Sequence, residues 1–262
     1  MRCIRVSSSI ENFKTKLEKK YADYETWKWT RAYSKTIFFG TYHWADYVRL
    51  LIHRGPRTVV WCGGDILNLR KSWWLPLIVN IKAIHYCENE VEALSLRRLG
   101  IDPIIKPLYF DDIDGVGITY LSSKLPQVYL TAHPGREEEY GVYLVEKIAH
   151  KVDVLFHIFG VDGESHDNII YHGEVETRYF DEMIKHYQGA LRLNAFDGFS
   201  ETLAKSLLMG QYPISRIDYP FVSTFTDEKS LIDELNMLQF NKEPNFTGAT
   251  YYRDILCKRL EV

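Results

Sequence analysis

Residues 168–215 read NIIYHGEVETRYFDEMIKHYQGALRLNAFDGFSETLAKSLLMGQYPIS. An apolar run ends at Gly173 and gives way to an amphipathic stretch. A second apolar run, GALRL, leads into the loop Asp197-Gly198-Phe199-Ser200. A second helical pattern follows, closed by Gly210, and then a third apolar run. Strand, glycine turn, helix, strand, loop, helix, strand is the grammar of an α/β protein with parallel strands. In that grammar residues 197–200 sit where a strand hands over to a helix. Unsatisfied backbone N–H groups and the positive end of the helix dipole then face any bound anion.

The same alternation extends in both directions. In the first half the apolar runs predict strands over 36–40, 58–62, 83–87 and 104–109, with helices over 10–24, 43–53 and 88–99. Gly100 follows the last of these as a C-terminal glycine should. The second half opens at Gln127 with VYLTA and continues with a helix over 137–150 and a strand over 152–159. After the 168–215 block come helices over 227–238 and 249–260. Residues 111–125, DDIDGVGITYLSSKL, are rich in Asp, Gly and Ser and read as a linker. The expected organisation is an N-terminal α/β domain over 1–110, the linker, a second α/β domain over 126–240, and a C-terminal helical segment over 241–262.

The totals set bounds on function. A chain of 262 residues, 46% hydrophobic with a formal charge of −3, suits a soluble globular protein and gives no electrostatic case for indiscriminate nucleic-acid binding. The four cysteines, Cys3, Cys62, Cys87 and Cys257, show no CxxC pairing, so buried free thiols and a reducing cytoplasm are expected. The N-terminus MRCIRVSSSIENFKTK lacks the apolar core of a secretory signal. No run approaches the roughly 20 apolar residues of a spanning helix; the longest, over 73–84, is broken by Asn80 and Lys82. The expectation is a cytoplasmic protein, at most peripheral at a membrane.

Asp197-Gly198-Phe199, a small residue, and a helix ending in Gly210 resemble the donor-binding half of GT-B glycosyltransferases of the GT4-like branch (glycosyl transferases group 1). The resemblance covers roughly 83–238 in element order. It implies two Rossmann-like domains facing a cleft, here with a shortened N-terminal domain, and a nucleotide-diphosphate sugar as co-substrate with no further cofactor. It also implies a metal-independent and retaining transfer of the hexosyltransferase type. In that family the acidic residue contacts sugar hydroxyls and a second acidic residue, eight positions on, contacts the ribose. Here the first is Asp197 and the second position holds Lys205, a donor-only side chain suited to phosphate; Glu201 is the nearby carboxylate. The family's arginine clamp after the first strand of the second domain has its match in Gly135-Arg136, while Tyr140 stands where a lysine precedes Gly141. The donor set implied is Gly135, Arg136, Gly173, Asp197, Gly198, Phe199, Ser200, Glu201, Thr202 and Lys205. For Arg136 the alternative is a surface pair with Glu137, Glu138 or Glu139; for Asp197 it is a helix N-cap.

On the acceptor side, Trp61-Cys62-Gly63-Gly64-Asp65 looks like the W-G-G-D segments of several GT-B families. The glycines admit a sugar close to the backbone, and Asp65 is placed to bind it or take its proton, or else simply to cap a tight turn. Gly40-Thr41-Tyr42-His43 faces the same site if the strands are parallel, with His43 as a second candidate base. Arg136, Lys205 and Asp65 are the residues expected to carry the chemistry. The acceptor itself, a saccharide, a lipid-linked compound or a protein, is left open.

Rival readings rest on particular residues. Asp112-Ile113-Asp114 after an apolar run would suit a metal-dependent GT-A glycosyltransferase. Lys205 and Tyr140 would suit a non-catalytic GT-B-like module that binds a nucleotide-sugar or a protein partner. His157, His166 and His172 have no metal-ligand spacing and are expected to be unconnected. Arg70-Lys71-Ser72-Trp73-Trp74 followed by LPLI is either a core-packing helix with a solvated basic end or a patch for a membrane interface.

Overall fold

Short runs of buried apolar residues form the central strands of this chain, and amphipathic runs form helices between them, four of which are capped by the side chains of Asn89, Ser200, Asp227 and Asn245. The structure, a computed structural model, describes residues 1–260. They group into two units. The first comprises Met1–Asp111 together with Phe196–Phe199 and residues 258–260; the second comprises Asp112–Ala195 and Ser200–Cys257.

The first unit holds strands β1 (Arg2–Val6), β2 (Glu25–Thr26), β3 (Lys35–Phe39), β4 (Arg57–Val60), β5 (Ile84–Cys87) and β6 (Ile104–Ile105). All pair in parallel, in the order β2-β1-β3-β4-β5-β6. Its helices are α1 (Lys14–Lys20), α2 (Trp44–Ile52), α3 (Gly64–Arg70), α4 (Leu75–Val79) and α5 (Glu90–Arg98). Thr36 to Phe39 are buried without interruption, as a parallel strand covered on both faces requires. Their side chains alternate between two cores. Phe38 packs with Tyr47, Leu50, Trp61 and Leu96, whereas Ile37 and Phe39 pack with Ile4, Leu17 and Tyr21. Asn89 caps α5, its side-chain oxygen accepting from the Glu92 N–H at 2.9 Å.

The second unit holds β7 (Gln127–Thr131), β8 (Leu155–Phe159), β9 (Ile169–Gly173), β10 (Gly189–Arg192), β11 (Ile214–Ser215) and β12 (Ser223–Thr224), again parallel, in the order β12-β11-β10-β7-β8-β9. Its helices are α6 (Glu137–Tyr140), α7 (Val142–Ile148), α8 (Thr177–Ile184), α9 (Glu201–Leu208), α10 (Glu228–Met237) and α11 (Phe246–Leu256). Val128, Leu130, Phe156 and Ile158 face a core completed by Val145, Ile148, Leu231 and Leu235; Tyr129 and Phe159 face another with Ile184, Tyr187 and Met209. Strand order reverses at β7, which places β8 and β9 on one side and β10 to β12 on the other. Open α/β sheets bind ligands outside the carboxyl ends of the strands at such a reversal.

Several elements differ from the sequence reading. β1, β2, β12 and α3 are additional, and the LPLI run forms α4, with Trp74 and Ile78 packed in the core. The helix expected over 10–24 is a short 3-10 stretch, Ser8–Phe13, followed by α1, and the strand over 104–109 contracts to β6. The helix over 137–150 is divided at Gly141, whose φ of +83° ends α6 and opens α7. A side chain there would be strained, and its Cβ would lie 2.6 Å from that of Leu193. The final helix begins and ends earlier than expected, at Phe246 and Leu256. Beyond it, Leu260 enters the core of the first unit and donates its N–H to the Tyr21 hydroxyl at 3.1 Å. Residues 261–262 of the predicted C-terminal segment lie outside the described residues. Among those described, no helix is long and apolar enough to cross a membrane.

Candidate active site

In the second unit the loops leaving β7, β8 and β9 surround a pocket of about 560 Å³. Thr131 to Pro134 come from the end of β7, Phe159 to Asp162 from the end of β8, and Glu174 and Val175 follow β9. Thr177 and Phe180 of α8 and Glu201, Thr202 and Lys205 of α9 complete the wall. The hydroxyls of Thr131 and Thr202 hydrogen-bond each other at 3.1 Å and tie α9 to β7. Ser200 caps α9 by accepting from the Leu203 N–H at 3.2 Å, which fixes the helix start at the pocket edge.

Lys205 is the sole Lys or Arg among the described residues of this wall. It is 5% exposed. Its ammonium donates to Asp181 Oδ1 on α8 at 2.5 Å and lies 5.8 Å from the centre of the Phe180 ring. That ion pair holds the Lys205 side chain against α8. Asp162, Glu174 and Glu201 also line the pocket. Carboxylates are acceptors only, so the wall is suited to the hydroxyls of a sugar or ribose, with a single cation for an anionic group.

Of the donor residues expected from the sequence, Glu201, Thr202 and Lys205 meet in this pocket, with Ser200 capping their helix. Gly173 ends β9 next to Glu174, its carbonyl accepting from the Gly160 N–H at 2.7 Å. Arg136 lies outside the lining set. Its guanidinium grips the Glu139 carboxylate through two hydrogen bonds of 2.8 and 2.5 Å and lies 5.2 Å from the centre of the Tyr140 ring. That grip holds the Glu139 carboxyl below its ordinary range. Gly135 precedes it on the same turn, its N–H donating to Glu137 at 3.0 Å.

Asp197, Gly198 and Phe199 group with the first unit. The Asp197 carbonyl accepts from the Asn89 amide at 2.7 Å, and the Phe199 N–H donates to Glu88 Oε2 at 3.2 Å. A Cβ at Gly198 would overlap Glu88 Oε2, so the residue must be glycine for the loop to close on that carboxylate. Asp197 is not the N-cap of α9; Ser200 is. Asp65 is fully buried and belongs to the first turn of α3. Its two oxygens accept the N–H of Thr41 at 3.0 Å and of Cys62 at 2.9 Å. Burial raises its pKa to about 6 against the pull of those bonds. The carboxylate therefore joins the Gly40–Thr41 loop to the Gly63–Gly64 turn from the inside. His43 is exposed at the start of α2, with Nε2 2.8 Å from the Ser9 hydroxyl.

Sequence reasoning missed Glu88 and Glu92. Both are buried, and Glu92 Oε2 accepts the Glu88 N–H at 2.7 Å while its Oε1 has no partner. Burial raises both well above the ordinary carboxylate range, with Asp197 adding to the effect on Glu88 and Glu88 to that on Glu92. A carboxylate placed one residue past a parallel strand was the signal available. Asp181 was missed as well, because its partner Lys205 lies on a different helix.

Asp112 and Asp114 form a local turn, the Asp114 N–H donating to Asp112 Oδ1 at 3.0 Å. Among the described residues, no three or more His, Cys, Asp or Glu side chains gather at metal-holding distance. The expectation that the three histidines are unconnected fails for two of them. Pairing of β8 with β9 sets His157 Nδ1 2.9 Å from His172 Nε2, with the Tyr187 hydroxyl 3.1 Å from the same Nδ1 and Gln127 Oε1 3.0 Å from Nε2. Burial, with His172 beside it, lowers His157 to about 4; burial lowers His172 too. His166 is apart from them.

No protein-family model and no curated protein matches the chain. Solved structures do match. Anabaena Alr3699/HepE, in complex with UDP and glucose, superposes with a TM-score of 0.61 at 10% identity, over 97% of this chain and 94% of that one. Sucrose-phosphate synthase from Thermosynechococcus elongatus gives 0.57 at 11% identity, over 95% and 73%. A mutant of S. aureus TarM, in complex with Fondaparinux, alpha-GlcNAc-glycerol and UDP, gives 0.52 at 12% identity, over 84% of this chain and 51% of that one. The chain thus spans about half the length of TarM. Two parallel six-stranded α/β units and these likenesses give the chain a GT-B fold, in a shortened form.

Proposed function

We propose that, on this GT-B fold, the chain is a glycosyltransferase. It takes a nucleoside-diphosphate sugar into the pocket of the second unit and passes the sugar to an acceptor bound mainly by the first. The observation that carries the reading is the pocket itself, open at the carboxyl ends of β7, β8 and β9 with Glu201, Thr202 and Lys205 in its wall. The UDP bound by HepE and by TarM supports a uridine diphosphate donor as the first to test. In the reaction the bond between the anomeric carbon and the diphosphate oxygen breaks. An acceptor oxygen bonds to that carbon and gives up its proton, and the nucleoside diphosphate leaves. Lys205 and the amides at the start of α9 offset the charge that develops on the leaving group. Glu201, Asp162 and Glu174 accept from sugar and ribose hydroxyls. Asp65 acts at one remove, by holding the Gly40–Thr41 and Gly63–Gly64 loops together. Retention of configuration and independence of metal accompany the reading through the GT4-like resemblance; a cytoplasmic location accompanies it through the cysteines, which show no CxxC pairing.

The test is release of nucleoside diphosphate from a panel of UDP-, GDP- and TDP-sugars, with and without EDTA and with candidate acceptors. One donor consumed, unaffected by EDTA and lost in Lys205→Met, is the expected result. Turnover that EDTA abolishes and manganese restores would remove the metal-independent mechanism.

A second reading has its own observation. Lys205 and Arg136, the two candidate phosphate cations, each already hold a carboxylate, Asp181 and Glu139. A non-catalytic nucleotide-sugar or partner binder needs neither cation released. Calorimetric binding of a donor with no turnover in any acceptor mixture would favour that reading.

A further inference from the structure

Between Asp65 and Glu88 the chain has no acidic residue. Arg70, Lys71 and Lys82 lie in this interval, all exposed, and Asp65 is buried, so every exposed charge of this stretch is positive. Two exposed tryptophans occupy the same region of the first unit. Trp73 is 71% exposed and Trp44 69%, and Leu67 and Leu77 are also exposed.

This exposure is built into the packing. Trp74 and Ile78 turn inward against the core of Phe38, Tyr47 and Trp61. Trp73 and Leu77, one residue earlier in each case, turn outward. Trp73 stacks on Trp74 with ring centres 3.8 Å apart and planes 28° apart, and Trp74 stacks in turn on Tyr47. Tyr47 lies three residues from Trp44 on α2, which brings that indole to the same side of the helix. A scattered exposed leucine is ordinary. Two held indoles beside leucines and acid-free cations form an amphipathic surface, and indoles favour the boundary between lipid headgroups and acyl chains.

We propose that this face docks on an anionic lipid bilayer, with Trp73, Trp44 and Leu77 entering the interface and Arg70, Lys71 and Lys82 facing the lipid phosphates. Charge complementarity chooses the occupant. A second copy of the chain in a two-fold contact would bring the three cations against their own images, whereas anionic headgroups neutralise them. The mode is interfacial, in keeping with the absence of a spanning helix among the described residues.

The experiment is flotation of the full chain with vesicles of phosphatidylcholine alone and with about a third phosphatidylglycerol, with tryptophan emission followed in parallel. Binding to the anionic vesicles only, weakened by salt, with a blue shift and quenching by brominated acyl chains, is expected. Trp73→Ala should lose most of the blue shift and quenching. Reversing Arg70 and Lys71 to Glu should weaken partitioning by about fivefold or more per position. Both variants alter exposed side chains, and far-UV circular dichroism with donor binding by the second unit confirms that they fold. Absence of partitioning to anionic vesicles, or equal partitioning by both variants, would overturn the proposal. So would concentration-dependent self-association removed by Trp73→Ala, which would assign the face to a second copy.

Discussion

The two units share a parallel six-stranded plan and put their carboxylates to opposite uses. In the first unit Asp65, Glu88 and Glu92 are buried and spent on backbone N–H groups; those of Asp65 and Glu88 join separate loops, and that of Glu92 lies at the start of its own helix. In the second unit Asp162, Glu174 and Glu201 line open volume, and the buried charge is an ammonium matched to Asp181. The first arrangement builds geometry, and the second lines a pocket with acceptor groups. A carboxylate after a parallel strand is therefore not by itself a sign of chemistry; what its oxygens touch decides.

The contrast predicts its largest effect at Asp65. Asp65→Ala removes the acceptor of two N–H groups in a buried setting and should cost about 2–4 kcal/mol of stability. Asp65→Asn, which keeps one acceptor, should cost less. Urea unfolding measures both; a loss in the alanine variant below about 0.5 kcal/mol would mean the loops do not depend on it.

Next comes pH, where Asp65 in the first unit and His157 in the second should respond with opposite sign. Asp65 titrates near 6 when folded against 3.8 ordinarily, so the folded state holds the extra proton in that interval. Its contribution is fully present below about 4 and is lost as pH rises through 6. His157 titrates near 4 when folded against 6.5 ordinarily. The unfolded chain then binds the extra proton, and stability falls as pH drops from 6.5 toward 4, by up to about 3 kcal/mol. Hydrogen exchange corrected for intrinsic rates should show β8 and β9 losing protection at pH 4.5 relative to 6.5 while the loops around Asp65 gain it. Parallel behaviour of these two regions would break the comparison. His157→Gln should flatten the acid limb.

Smaller effects are expected at the two paired cations. Lys205→Met should lower donor affinity about tenfold, with Asp181→Asn in the same background restoring stability but not binding. Arg136→Ala, which breaks an exposed pair, should change stability by less than about 0.5 kcal/mol. A larger loss would mean that the stacking on Tyr140 organises the turn before α6.

How far these features could be read from the sequence follows from the range of the interactions behind them. The α/β plan was legible because β3, β4, β7 and β10 each hold a short apolar run (IFF, VV, VYL, GAL) and the stretches between them are amphipathic. β1 escaped because RCIRV is a short stretch broken by Arg2 and Arg5 that does not stand out by itself; it pairs with β3 along its whole length. The single helix read over 137–150 ignored Gly141, which combines a positive φ with a close approach to Leu193, far along the chain. At the site, Glu201, Thr202 and Lys205 were legible because one helix carries all three. Glu88 was read only as a helix start, since its partner Phe199 is 111 positions away. The His157–His172 contact depends on the register of β8 against β9, and residue spacing does not encode it.

The central claim is that the second unit's pocket binds a nucleotide-sugar through Lys205. Isothermal titration of the intact protein and of Lys205→Met with UDP-glucose, UDP-GlcNAc, a GDP-sugar and a TDP-sugar tests it most directly. The account predicts saturable one-to-one binding of one donor class, weakened about tenfold in the variant, a difference of about 1.4 kcal/mol. Absence of binding by any member of the panel, or equal affinity in the variant, would contradict it.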